Sequence, residues 1–228
     1  MTQMTTLGRP HLGGSLPLQN RPPVESREPR GAMEYLGAPM LFRRRSEVYG
    51  ESEPAEYLYK VMSGVVRTCK VLVDGRRQVG GFYFRGDTFG LETGTKHAYS
   101  AEAITECRVL VAKHSTLIAR AKTDHEVAFE FCTLTGRELR RLQDHVLLLI
   151  KNAPERVAAF LLALAERSST GNSIELPMSR QDIADHLGLT IETVSRTLSH
   201  LEGLQAIELL STRRILLRNR CALVRLSA

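Results

Sequence analysis

The chain lacks any run of about 18 consecutive apolar residues, the length that a membrane-spanning helix requires. Its apolar stretches, such as VLLLI at 146–150, fall far short. The N-terminus has no apolar central region, which argues against a secretory signal. Acidic residues are absent before Glu25, and Arg9 and Arg21 precede it, as in a transit peptide. Pro10, Pro17, Pro22 and Pro23 spoil the amphipathic helix that such a peptide uses. Residues 1–32, rich in Gly, Pro, Arg and Ser, therefore read as a disordered N-terminal tail. Closely spaced cysteines are missing too: Cys69, Cys107, Cys132 and Cys221 form no Cys-x-x-Cys pair. That argues against a structural zinc or an iron–sulfur cluster. It fits reduced, mostly buried thiols in a cytoplasmic protein. There is no Gly-rich phosphate loop, no metal-ligand cluster and no nucleophile with a recognisable base. The chain is therefore expected to be no enzyme and to hold no cofactor or metal.

What is present is a modest positive charge, +6 over 228 residues. Residues 1–50 carry 7 basic and 4 acidic groups, residues 51–150 carry 14 and 13, and residues 151–228 carry 10 and 8. The excess is spread out, so a nucleic-acid-binding surface in the last third must place its few cations well. From Met33 the chain shows short Val-, Tyr- and Phe-rich runs separated by glycines. Asp74-Gly75 between two such runs is a hairpin signal. This texture predicts a barrel or jelly roll over 33–122. From Ser115 the period becomes helical. His125–Lys151 reads as one long amphipathic helix, with Phe131, Leu134, Leu142, Val146 and Leu149 towards a partner. About 27 residues span roughly 40 Å, more than one small barrel covers, which favours a helix–helix dimer seam at 123–151 over packing on its own barrel. Asn152-Ala153-Pro154 then caps a new helix, and SSTGNS at 168–173 reads as a polar loop.

The segment 177–220 carries the most specific pattern. Ser179 with Asp182 makes a capping box for a short helix that ends at Gly188. Thr190 caps the next helix, where Val194, Leu198 and Leu201 form a buried stripe. Glu192, Ser195, Arg196 and Ser199 share another face. Two helices joined by a short Gly-containing turn make a helix-turn-helix. AIELL and RRILLRN can pair around Ser211-Thr212 as a β wing. In a major groove Arg196 can pair bidentately with guanine, Glu192 can accept from a cytosine amino group, and Ser195 can reach a thymine edge or a phosphate. Glu192 and Arg196, four apart, can also hold each other. Ser179, Arg180, Thr190, Thr193 and Ser199 are the expected backbone anchors.

DIADHLGLTIETVSRTLSHLE closely resembles the helix-turn-helix of the CRP/FNR superfamily of transcription regulators, and Glu192-x-x-Ser195-Arg196 matches its FNR-type signature. NAPERVAAFLLAL and QDHVLLLIKNA resemble the family's neighbouring helices. The resemblance implies an α+β chain: an N-terminal cyclic-nucleotide-binding-like β roll, a long dimerisation helix, and a C-terminal winged helix-turn-helix at 152–228. It implies a homodimer on double-stranded DNA at an inverted TTGAT repeat, with RNA polymerase as a further partner. With no cysteine before Cys69, an oxygen-sensing cluster is not expected. FGLETGTKHAYSAEAIT retains Glu92 and Ser100 but offers Tyr99 where cAMP-binding members place an Arg. The nucleotide pocket thus reads as vestigial. His97, the nominee for a haem ligand, is expected to be an ordinary exposed histidine. A member lacking both cluster and nucleotide site resembles the FixK branch, activators of low-oxygen genes for microaerobic respiration, denitrification and nitrogen fixation that work without a small-molecule effector. The alternative is a ligand-gated regulator with a cyclic nucleotide or haem in the roll. Cys132 and Cys221 are expected to be buried.

Overall fold

The computed structural model describes residues 31–92, 95–167 and 171–227; the tail expected over 1–32 lies outside them except for its last two positions. Ala32 is not tail but the first residue of α1 (Ala32–Leu36). The Glu130 carboxylate accepts its N–H at 2.7 Å, and Ala32 and Met33 are buried. Eight strands follow: β1 (Ala38–Phe42), β2 (Glu47–Tyr49), β3 (Tyr57–Ser63), β4 (Val66–Val71), β5 (Arg77–Tyr83), β6 (Thr88–Phe89), β7 (Ser100–Ala103) and β8 (Cys107–Lys113). They form two antiparallel sheets, in the orders β1-β8-β3-β6 and β2-β7-β4-β5. Tyr49, Tyr59, Tyr83 and Phe89 fill the space between the sheets, with ring centroids 5.0–6.1 Å apart, within the range where aromatic pairs attract. Gly75 supplies the left-handed residue of the β4–β5 turn, at φ 83°. Gly64 is needed for space as well, since a Cβ there would lie 2.2 Å from the Glu106 carbonyl oxygen.

The chain leaves the roll through α2 (His114–Ala121) and enters α3 (His125–Leu149). Asp124 caps α3, its carboxylate accepting from the N–H groups of Glu126 and Val127. Asn152 and Glu155 make a reciprocal capping box for α4 (Ala153–Glu166), with Pro154 in its first turn. Then come β9 (Ser173–Glu175), α5 (Arg180–Leu187), α6 (Ile191–Gly203), β10 (Ile207–Ser211), β11 (Arg214–Leu217) and α7 (Arg220–Ser227). The polar stretch at 168–173 is only partly a loop. Residues 168–170 are outside the described set, and Ser173 pairs with Leu216 in a three-stranded sheet of order β10-β11-β9. Ile174 of that strand is buried, which gives the segment a reason to pair.

The roll and the C-terminal elements share one apolar cluster. Val65, Val79 and Phe82 of the roll join Val157, Phe160, Leu161 and Ile183, and the Phe82 and Phe160 rings meet edge-on at 6.2 Å. Helix α5 thus rests on β5.

Candidate nucleic-acid interface

The interface is built from two caps and one glycine. The Ser179 hydroxyl accepts from the Asp182 N–H at 3.1 Å, and the Asp182 carboxylate accepts from the Ser179 N–H at 3.0 Å. This starts α5. Gly188, at φ 63°, closes it in the left-handed conformation, its N–H donating to the Ala184 carbonyl. Two residues later the Thr190 hydroxyl accepts from the Thr193 N–H at 3.2 Å and starts α6. The turn is held locally by these caps and from outside by Arg156 of α4, which donates to the Leu187 carbonyl at 2.8 Å.

Helix α6 has two faces. Val194, Thr197, Leu198 and Leu201 are buried. Glu192, Ser195, Arg196 and Ser199 are exposed on the other side, close to the N-terminal end, with Thr190 exposed and Thr193 half-buried beside them. Among the described residues no ion pair joins Glu192 to Arg196 or gives Arg196 any carboxylate within 4.0 Å. The intrahelical pair that spacing allows is not formed. The Glu192 carboxyl is held below its ordinary value, first by its own backbone N–H, then by the Thr190 hydroxyl, with the Arg196 charge contributing less. A carboxylate fixed over a helix N-terminus and an unengaged guanidinium one turn on are complementary to the donors and acceptors of base edges. Ser179 is exposed and Arg180 half-buried at the start of α5. The wing turn falls at Thr212-Arg213, one residue beyond the position read from sequence, because Ser211 still pairs with Arg214.

Ionic contacts fix this module to the roll. Arg67 of β4 reaches Asp182, and also Glu102 at 2.6 Å. Arg77 of β5 reaches Asp182 at 2.6 Å and Asp185 at 2.7 Å. Burial works against the Asp182 charge, but the Ser179 donors and the two guanidinium groups outweigh it, so its carboxyl sits below the ordinary value. Nearby, the His186 ring stacks on His145 of α3 at 4.4 Å, and its Nδ1 lies 3.1 Å from the Val79 carbonyl oxygen. Burial, and then the neighbouring His145, push His186 down to about 4. None of these contacts between roll and helix-turn-helix was read from sequence. Asp182 is marked in the chain only as the capping-box partner of Ser179, and Asp185 has no mark that separates it from an ordinary helix-surface acid.

The five positions assigned to a dimer seam differ in how far other elements of the same chain cover them. Phe131 packs against Met33, Leu58 and Leu117 of its own chain, and Leu134 borders the same cluster. Leu149 approaches Gly188 at 3.6 Å from where a Cβ would stand. Leu142 and Val146 instead stand open, 49% and 62% exposed, in line with Leu139 and Ile150. At 100° per residue Phe131, Leu142, Val146 and Leu149 fall within about 60° of one another, so these seam positions share one sector of the helix, with Leu134 and Ile150 at its two margins.

A cavity of about 580 Å³ lies between the roll and α3. Glu92 and Tyr99 line it, with Tyr83, Glu138 and Arg141. Arg141 is already engaged by the Glu138 carboxylate at 2.7 Å and by the Tyr83 hydroxyl, and lies over the Tyr83 ring. Ser100 donates to the Cys69 carbonyl at 3.0 Å. Two expectations fail nearby. His97 is buried, not exposed: it stacks on Tyr49 at 3.6 Å, and its Nδ1 meets Glu92 at 3.0 Å. A carboxylate and an aromatic face make a buried place for a ring that a loop sequence does not show. Cys132 and Cys221 are exposed, not buried. Cys132 lies on the open side of α3, and Cys221 lies in α7, whose buried position is Leu223. Cys69 and Cys107 are buried. Among the described residues no group of three or more His, Cys, Asp or Glu side chains is placed to hold a metal, and no helix is long and apolar enough to cross a membrane.

Two families match this chain: the cyclic nucleotide-binding domain over residues 39–124 and the Crp-like helix-turn-helix domain over residues 155–226. The nitrogen fixation regulation protein FixK of Azorhizobium caulinodans is 52% identical over 90% of this chain and 85% of its own. FixK of Rhizobium meliloti is 40% identical over 80% and 88%. The solved structure of FixK2 from Bradyrhizobium japonicum superposes with a TM-score of 0.81 at 47% identity, covering 85% of this chain and 98% of that one.

Proposed function

The chain belongs to the CRP/FNR superfamily of transcription regulators, in its FixK-like branch, and from that premise we propose that it activates genes of low-oxygen metabolism by binding an inverted TTGAT repeat as a homodimer, in the cytoplasm and without a small-molecule effector. One observation carries the reading: the exposed Glu192, Ser195 and Arg196 on the first turns of a capped helix, with Arg196 unengaged by any carboxylate. The open stripe at Leu139, Leu142, Val146 and Ile150 supports pairing through α3. The commitment of Arg141 to Glu138 and Tyr83 supports effector independence, because a bound phosphate would compete for the cavity guanidinium. Relatives named for the regulation of nitrogen fixation support the gene class. RNA polymerase is the partner through which an activator of this architecture works.

Selection of binding sites from random duplexes, using purified protein with no added ligand, tests symmetry, sequence and ligand independence together. Enrichment of a twofold TTGAT repeat is the expected result. A pool without symmetry, or one enriched only after a ligand is supplied, overturns the reading. The cavity favours a second reading, a ligand-gated regulator, because it is large enough to enclose an organic ligand. Saturable heat with cyclic nucleotides, or a Soret band in the purified protein, would favour it.

A further inference from the structure

A second cleft, of about 230 Å³, lies where the roll meets the winged module. Arg44, Arg45, Arg67, Arg77 and Arg213 line it, against two carboxylates, Glu102 and Asp182. The two carboxylates are taken up by Arg67 and Arg77. Arg44, Arg45 and Arg213 are exposed, and among the described residues none of them has a carboxylate partner within 4.0 Å. Deeper in, the Arg67 side chain is only 12% exposed, and its Nε is buried without an acceptor. An unsatisfied buried donor on a cation is costly unless something supplies the oxygen. Arg45 is also held at φ 69°, a conformation that long L side chains rarely adopt and one that concentrates at binding sites. Its N–H donates to the Ala103 carbonyl at 2.7 Å, which anchors the turn and presents the side chain at the cleft.

We propose that this cleft binds a phosphate group. Guanidinium groups arriving from two structural units suit a doubly charged anion with several oxygens better than a planar carboxylate. The volume lies below the roughly 300–1,000 Å³ of sites that enclose whole organic ligands, so it admits a phosphate or pyrophosphate moiety. The phosphate is either that of a free polyphosphate or one on the DNA backbone beside the half-site. The DNA source is open because Ser179, which lines the same cleft, starts α5, and that source rests on the DNA-binding reading above. In either case the anion draws Arg44 and Arg45 of the roll towards Arg213 of the wing.

The test compares the full chain with an Arg44→Gln/Arg45→Asn variant, Asn being the better tolerated residue at positive φ. Inorganic pyrophosphate is titrated calorimetrically at fixed ionic strength. Both proteins are also bound to a duplex ending at the half-sites and to one extended by a helical turn on each side. If free polyphosphate is the ligand, the wild type gives saturable heat and the variant binds about tenfold more weakly. If DNA is the source, pyrophosphate gives no heat, and the variant loses affinity only for the extended duplex. Its salt slope there falls by about one for each phosphate that it no longer neutralises. A variant that matches the wild type in both assays, or that loses equally on both duplexes, overturns the proposal. Failure of the wild type to prefer its site, with pyrophosphate binding intact, would sink the DNA-binding reading and leave this one standing.

Discussion

At the residue scale, Arg196 is the side chain to which the proposed DNA reading assigns most of the sequence discrimination. Its replacement by Ala should cost about 1–3 kcal/mol on the preferred site and much less on a site altered at the guanine step; competition binding across single-base variants measures the difference. Asp182 has the opposite profile, since it is buried and held by Arg67 and Arg77. Asp182→Asn removes a charge that Arg67 and Arg77 share, leaving a buried guanidinium short of its counter-ion, and should destabilise the fold by about 3 kcal/mol. Its folded-state value is depressed below an ordinary 3.8, so its stabilisation is complete above that pH and is lost as the pH falls through the folded value. The variant should therefore show a flatter acid limb than the wild type in denaturant melts between about pH 5 and pH 2.

Elements divide into those whose cues are local and those whose faces depend on remote contacts. The helix-turn-helix was legible because Ser179, Asp182, Gly188 and Thr190 act within a few residues of themselves, and the structure repeats each cap as read. The Asp74-Gly75 hairpin was legible for the same reason. Helix α3 was legible as a helix, but the cover that α1 and α2 give to Phe131 and Leu134, from nearly 100 residues away in one case, was not. His97 and the two exposed cysteines were misread on the same ground: burial is a property of what arrives from elsewhere. The open stripe makes its own prediction. Leu142→Glu with Val146→Glu should shift the protein towards monomer in sedimentation and weaken DNA binding steeply with dilution, since like charges would face each other across a twofold seam. Phe131→Ala should instead lower the melting temperature, at a cost of about 3 kcal/mol, without a comparable change in mass.

On the scale of the whole molecule, the roll and the winged module share one apolar cluster and an ionic clasp. Heating should therefore give a single calorimetric transition rather than two. His186, half-buried between α3 and β5, adds a pH dependence. His186 is depressed to about 4 from an ordinary 6.5, so the neutral ring's stabilisation is present above 6.5 and drains away as the pH falls towards 4. His145, Arg141 and the Val79 carbonyl face it there. The melting temperature should fall across that window, and His186→Phe, which keeps the aromatic contacts with Phe82 and Phe160, should flatten the fall.

Because α5 is clamped to β5, each subunit of the proposed pair carries its reading head on a fixed jaw, and the pair behaves as a caliper set to one gauge. An extra base pair between half-sites advances the far mark by about 3.4 Å and turns it about 35° around the duplex axis. A jaw on a flexible strap would follow; one riveted to its frame would not. Operators lengthened or shortened by a single base pair should accordingly be refused, and those who search genomes for this regulator's sites can treat the gap as invariant as the letters.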